Sequence, residues 1–507
     1  MKKQAKGIIA LSAVLVALLG GGYAYMKLTP EDSGEQSGKS SELQLLATTA
    51  DGEGTVLVSD GGSETGEVKK AVITNKSGTL KVVKKSAPTA EGESAAYTLE
   101  GYTDLKLDDG MIAALVNNGN GMAAKSIVAR DCDNTAKYGF DKPNATVEFT
   151  YESGNTAKFI VGDTAPSTES IYVMVDGEND VYAVEPSNVA VYMRELKNFV
   201  ETTVLEKPDD GSEPDVKNVE VERSDMESSI YIEYDKSSEE AHSGGTSSSF
   251  KMKSPTESYL TVESSTPIIT GMFGLNASDL YVLHCKDADI KDAGLSEPFC
   301  KVTVECKDGS RNVLLLSEVF ADNSGKKCCY GMLEGGNVIY IIAADNAPWL
   351  TVQPIDVASK MLITSYVWNI TELSASCGDE KADFVIKPVD PDNKPETPSS
   401  DDYKVTLNGK EFDTERYRKF FAFVNGSNAE EFALGVPVPE GEPQATIKLY
   451  DSFRGKTETY DFYDDSVMRS LIVVDGESKY YCTKSFVSVL LDNIRRLESD
   501  EAFVTTW

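Results

Sequence analysis

The sequence predicts an α+β protein: three tandem repeats of antiparallel β-meanders, each packed by helices, following an N-terminal transmembrane helix. Three observations lead there. A 20-residue uncharged run stands near the start, period-two alternation recurs after three prolines, and low-complexity segments separate the alternating stretches. A length of 507 residues suits about three domains of roughly 150 residues each. With 40% hydrophobic and 26% charged residues, the chain has the means to build ordinary packed cores.

The first element is the apolar run. Lys2, Lys3 and Lys6 precede residues 7–26 (GIIALSAVLVALLGGGYAYM). Twenty residues at about 1.5 Å each span roughly 30 Å, one hydrocarbon thickness. The positive flank keeps the N-terminus cytoplasmic and the bulk of the chain, beyond Lys27, extracytoplasmic. Tyr23 and Tyr25 then fall at the outer interface. A cleaved signal peptide would show a shorter apolar core and a small-x-small site, of which residues 20–24 are a poor version. A lipoprotein would need a cysteine just after the run, and the first is Cys132. The expectation is an uncleaved single-pass anchor in the cell membrane, with its cytoplasmic stub, over residues 1–28.

Beyond Lys27 there are 45 basic residues against 82 acidic ones, a net charge of −37. That balance argues against nucleic acid and against anionic membrane surfaces, both of which need clustered Lys and Arg. It suits a surface that stays dispersed in water. Only two histidines, His242 and His284, are present, too few for a His-rich metal site and a poor basis for a His-based triad.

Composition sets the boundaries. A flexible stalk is expected over residues 29–65, around SGEQSGKSSE at 33–42. Repeat module 1 then covers 66–205, EKPDDGSEPD at 206–215 is a linker, and module 2 covers 217–377. A Pro/Asp-rich spacer over 378–402, with four prolines from residue 387 on, precedes a shorter module 3 over 403–507.

Within the modules the pattern repeats. After Pro143, alternate positions carry Ala145, Val147, Phe149 and Tyr151. After Pro298 they carry Cys300, Val302, Val304 and Cys306; after Pro443, Ala445, Ile447 and Leu449, followed by Asp451. Such alternation marks a half-buried strand. Downstream, each module has an apolar run, an acidic-Gly turn and a tyrosine-bearing run: Asp176-Gly177 then Tyr182, Glu334-Gly335-Gly336 then Tyr340, Asp475-Gly476 then Tyr481. Asp-Gly between strands is a hairpin signal, because glycine takes positive φ at little cost. The proline-to-tyrosine gap is 39, 42 and 38 residues.

A helix is expected after each hairpin. Val487, Leu490, Ile494 and Leu497 share one face of the third, with Thr483 as its N-cap. Ser187 precedes the first, and Pro348 opens the second. Upstream of each meander lie two or three strands, a helix and a strand. In module 1 these are 71–75, 79–84 and 96–100, helix 111–116 and strand 126–129. Module 2 has strands 229–233 and 259–262, helix 268–273, and an extra Ser/Gly-rich loop at 237–249. Module 3 begins at Tyr403, with helix 416–424.

The stretch Lys137-Tyr138-Gly139-Phe140-Asp141-Lys142-Pro143, the hairpin YVMVDGENDVYAV, and the C-terminal segments Val405-Thr406-Leu407-Asn408-Gly409-Lys410 and Val473-Val474-Asp475-Gly476-Glu477-Ser478 resemble the bacterial family called domain of unknown function 4340. The resemblance covers residues 66–205, 218–377 and 402–497. It implies an anchored envelope protein, often associated with an ABC transporter of the gliding-motility or polysaccharide-export kind. It supplies no catalytic residue.

All eight cysteines fall on the exported side, where disulfides are permitted. Cys300 and Cys306 occupy core-facing slots, so they read as buried thiols. Adjacent Cys328 and Cys329 must face opposite ways on a strand, and no CxxC spacing suggests zinc. Gly119-Asn120-Gly121-Met122-Ala123-Ala124 fits GxGxxA, but follows a helix and leads into a strand, the reverse of a dinucleotide site. Gly455-Lys456-Thr457 lacks the earlier glycine of a phosphate loop and reads as a turn. Ser248 and Lys251 match an SxxK pair placed in the Ser-rich loop. Asp131/Asp133 and Asp390/Asp392 lack the remaining calcium-loop ligands, and Asp131 and Asp133 are expected to cap the short helix ending near Tyr138.

No catalytic, cofactor-binding or metal residue is therefore assigned, and no cofactor is expected. The expected function is a non-catalytic accessory or interaction subunit whose partners are envelope membrane proteins, ABC-transporter subunits among them, and not nucleic acid. A glycan-binding module, drawing on 23 tyrosines, is the alternative. A hydrolase is third, since acidic pairs are plentiful but none is singled out by spacing.

Overall fold

A computed structural model describes residues 45–48, 55–58, 67–86, 95–166, 169–208, 212, 214–236, 247–392, 395 and 397–507. The anchor expected over residues 7–26 lies outside them. Among the described residues, no helix is long and apolar enough to cross a membrane. Part of the expected stalk is ordered in backbone: Leu45–Thr48 and Thr55–Val58 pair as an antiparallel ribbon. The chain divides into two compact units, Met1–Val200 and Glu201–Trp507.

The first unit is built on one antiparallel sheet. Its strands are β1 (Val68–Asn75), β2 (Gly78–Ser86), β3 (Ala96–Leu99), β4 (Ala124–Ala129), β5 (Ala145–Tyr151), β6 (Thr156–Thr164), β7 (Ile171–Val175) and β8 (Val181–Val184). They run in the order β3-β2-β1-β5-β6-β7-β8-β4. On β5 the alternation is realised: Ala145, Val147, Phe149 and Tyr151 are buried. The inner face is covered by helix α1 (Asp109–Asn117), which buries Ile112, Leu115 and Val116 and is capped by Asp108, whose side chain accepts from Met111 N. Tyr192 and Phe199 close the rest of that core.

Besides a two-stranded ribbon pairing Thr203–Leu205 with Leu275–Asn276, the second unit holds two large sheets. In the first of these, β9 (Val216–Arg223), β10 (Ile230–Tyr234), β11 (Ser247–Ser254), β12 (Ser258–Thr261), β13 (Asp279–Leu283), β14 (Cys300–Cys306), β15 (Arg311–Leu316), β16 (Lys327–Leu333) and β17 (Val338–Ala343) run β12-β11-β10-β9-β14-β15-β16-β17-β13. Helix α2 (Val262–Thr270) and Trp349 cover its inner face, and the Trp349 indole N–H donates to Ile268 O at 3.0 Å.

The other sheet comprises β18 (Ile370–Cys377), β19 (Glu380–Pro388), β20 (Tyr403–Leu407), β21 (Lys410–Phe412), β22 (Glu431–Phe432), β23 (Ala445–Asp451), β24 (Lys456–Asp464), β25 (Arg469–Val474) and β26 (Glu477–Thr483), in the order β21-β20-β19-β18-β23-β24-β25-β26-β22. Helices α4 (Thr414–Asn425) and α5 (Ser485–Arg496) cover it; the short α3 (Asp287–Asp292) belongs to the preceding sheet, where Ile290 packs near Met332 and Ile339 of β16 and β17. Tyr417, Phe420 and Phe423 of α4 meet Phe384 and Phe486 ring to ring at 5.2–5.4 Å. Each such buried ring contributes on the order of 1.5–3 kcal/mol by burial.

Several expectations change. The third sheet begins at Ile370, so residues assigned to the end of module 2 and to the spacer are its strands β18 and β19, and with nine strands it is comparable to the eight- and ten-stranded others. The register shift between Ile370 and Glu372 hid β18, because a bulge breaks the period-two count. Pro388 only ends β19, where proline is tolerated. Of the helices expected after the hairpins only α5 is long; its N-cap is Lys484, not Thr483. The other two are single turns, Pro186–Val189 and Pro348–Leu350. The extra loop is shorter than expected, since β11 starts at Ser247; residues 237–246 lie outside the described residues. Asn134, with no side-chain bond, stands at the cap expected of Asp131 or Asp133.

Candidate functional site

The turn between β23 and β24 begins with a break in the apolar alternation. Asp451 ends β23, on the face where β5 has Tyr151 and β14 has Cys306, and it is 1% exposed. Its Oδ1 accepts the backbone N–H groups of Phe453 (2.9 Å) and Arg454 (3.0 Å), so this carboxylate fixes the turn. The turn in turn aims Arg454 into a cleft of about 350 Å³ between the two sheets of the second unit.

The walls come from both sheets. Lys251 of β11, Glu257, and Ser258 and Tyr259 of β12 form one side; Lys456, Glu458 and Tyr460 of β24, with Asp475, Lys479 and Tyr480 of the β25–β26 hairpin, form the other. The segment after residue 357 holds the two together. Ser359 N donates to Tyr259 O (2.7 Å), and Ala429 N donates to Lys360 O (2.7 Å). Leu362 and Thr364 of this segment also line the cleft.

The Arg454 guanidinium is 12% exposed. Its Nη2 donates to Thr364 Oγ1 at 3.0 Å. Nε lies 3.7 Å from Asp451 Oδ2 and Nη1 lies 3.9 Å from Glu458 Oε1, ion-pair distances too long for hydrogen bonds. Nε and Asp451 Oδ2 are both buried with no hydrogen-bond partner. The Tyr259 ring centroid lies 5.8 Å from the guanidinium carbon.

Around it most of the charges are paired. Lys251 Nζ donates to Glu257 Oε1 at 2.6 Å. Burial opposes the Lys251 charge most, yet the Glu257 bond and the negative fields of Tyr259, Glu257 and Asp235 together raise its pKa. The same bond lowers that of Glu257. For Lys456, burial is again outweighed by Glu458 and Asp475, and its pKa rises. Burial, and then Glu458, pushes the Tyr460 phenol well above its usual range; its O–H is 3.0 Å from both Leu362 O and Glu458 Oε2. Burial also raises Tyr480. Every one of these shifts moves its group away from neutral pH, which favours fixed charge and hydrogen bonding over proton transfer.

The sequence motifs sit elsewhere or serve as structure. Gly119 follows α1, and a Cβ there would strike Val68, while the Tyr151 hydroxyl donates to its carbonyl at 2.6 Å; this glycine allows close packing. Gly455 closes the β23–β24 turn at φ +62°. Ser248 and Lys251 lie on strand β11, not in a loop, and Ser248 Oγ accepts from Phe250 N. Asp390 Oδ1 accepts from Asp392 N, a local turn. All eight cysteines are free, and Cys328 and Cys329 are both buried. Among the described residues no group of three or more His, Cys, Asp or Glu could hold a metal ion. Of the cleft residues, sequence singled out Lys251, Lys456 and Asp475 within motifs read as strand or turn, and Asp451 as the polar residue at the end of an apolar alternation; Arg454 and Lys479 it did not single out.

Residues 98–298 match the family described as a domain of unknown function (DUF4340). The matched stretch runs from within β3 to the segment just before β14, so it crosses from the first unit into the second. No curated protein matches the chain.

Proposed function

We propose that this chain, which carries the domain of unknown function 4340 over residues 98–298, is a non-catalytic, membrane-anchored extracytoplasmic protein. Its role is that of an accessory or interaction subunit of an ABC-transporter-type envelope complex. The observation that carries the reading is the shared strand order. Relabelled by position in the chain, all three sheets place their first strand beside the one that follows the Pro143, Pro298 or Pro443 signal, and return the strand before that signal to the far edge. In each, that central strand starts two residues after the proline, at Ala145, Cys300 and Ala445. We read the sheets as three copies of one module, an arrangement that multiplies binding faces on one chain. The uncharged run at 7–26 supports the anchor, and the pKa shifts in the cleft, all directed away from neutral pH, support binding over catalysis.

The test is a mild crosslink on intact cells, followed by detergent extraction, pull-down and mass spectrometry. Transporter subunits recovered in near-equal amounts are expected; recovery of no stable protein partner would overturn the accessory role. A glycan-binding reading draws on one specific observation. Tyr281, 46% exposed, Tyr330 and Phe320 lie in a row of tilted rings with centroids 4.4 and 4.6 Å apart. Envelope glycan recovered in place of protein would favour it.

A further inference from the structure

We propose that the cleft between the two sheets of the second unit binds a small molecule through an oxyanion group, with Arg454 and Lys479 as its receptors. The inference is independent of the accessory role and rests on which hydrogen-bonding capacity in the cleft is spent. The acceptors are engaged. Glu257 takes Lys251 and Lys253, Glu458 takes Tyr460 and Lys456, and Asp475 takes Thr459 N (2.8 Å) and Lys456 (3.2 Å). The donors are not. A guanidinium has five N–H groups, and among the described residues Arg454 makes one hydrogen bond, to Thr364. Lys479 has no carboxylate partner among the described residues, although its neighbours along the cleft wall do.

Charge points the same way. The lining carries Lys251, Arg454, Lys456 and Lys479 against Glu257, Glu458 and Asp475, and with the buried Asp451 counted the charges balance locally in a chain of net charge −33. Asp451, which offsets Arg454, is sealed behind the guanidinium and presents no surface to an incoming anion. A largely desolvated guanidinium with unfilled N–H groups is the arrangement that holds carboxylate or phosphate oxygens most strongly. At about 350 Å³ the space is at the small end of small-molecule sites, so the occupant is a small molecule and not a chain. Because the walls belong to two sheets, the bound anion would also tie them together.

The experiment is calorimetric titration of the purified full chain in detergent, at constant ionic strength, with inorganic phosphate, with succinate and with neutral maltose. Saturable one-site binding of phosphate or succinate is expected, and which of the two binds separates a phosphate ligand from a carboxylate one. Lys479→Gln should weaken it about tenfold and Arg454→Gln should abolish it. Lys479 is partly exposed, so that variant keeps the test valid if Arg454→Gln does not fold. Unchanged binding in Lys479→Gln, equal binding of maltose, or no saturable binding of either anion would overturn the proposal.

Discussion

Position 451 puts a carboxylate where the equivalent strands of the other sheets end in Tyr151 and Cys306. Desolvating a carboxylate costs several kcal/mol unless it is compensated. Here two backbone N–H groups and the nearby Arg454 supply the compensation. The cysteines behave as apolar side chains: burial pushes the thiols of Cys300, Cys329 and Cys482 up to about 12, and the Tyr182 phenol rises to about 12, burial again being the main cause. Unfolded thiols and phenols ionise near about 8.5 and 10. Above about pH 9 the unfolded chain therefore sheds protons that the folded chain keeps, and stability falls as pH rises toward 12. Urea midpoints at pH 7, 9 and 10.5 should decrease in that order; a constant midpoint would contradict the burial of these groups. In the same samples, unfolding without reductant should release eight reactive thiols, and a smaller number would mean disulfides.

Local pattern specified the strands well and the helices less well. The three central strands begin and end where the alternation after each proline says, because a half-buried strand needs no distant information to show its two faces. The helices expected after the first two hairpins are short turns instead: Pro186–Val189 runs on as a 3-10 turn over Ala190–Met193, and Pro348–Leu350 is itself a 3-10 turn. Gly162 on β6 shows a constraint that no pattern reveals. A Cβ there would run into the backbone carbonyl of Tyr138 and lie 2.8 Å from Phe140 Cε1. Backbone cannot yield as a side-chain tip does, so Gly162→Ala should destabilise the first unit by about 1–3 kcal/mol. Leu490→Ala on α5, whose side chain is fully buried, should cost about 2–5 kcal/mol in the third sheet's transition. Unfolding followed by circular dichroism on each variant checks both, and an unshifted transition would refute the packing described.

For the molecule as a whole, the chain's charge of −33 bears on how its surface behaves in water, not on its cores. Deleting residues 7–26 should move the protein from the membrane to the soluble fraction; a truncated chain that still sediments with membranes would count against the anchor. The alternation, the Asp-Gly turns, the low-complexity boundaries and the uncharged run were determined by sequence alone, because each is a property of neighbouring residues. Membership of residues 370–388 in the third sheet was decided by tertiary structure, since it depends on pairing Ile370–Cys377 with Ala445–Asp451 some 70 residues on. The cleft was decided there too. Tyr259 and Arg454 stand almost 200 residues apart in the chain, and only the folded second unit places a ring 5.8 Å from a guanidinium that keeps, among the described residues, a single hydrogen bond, to Thr364.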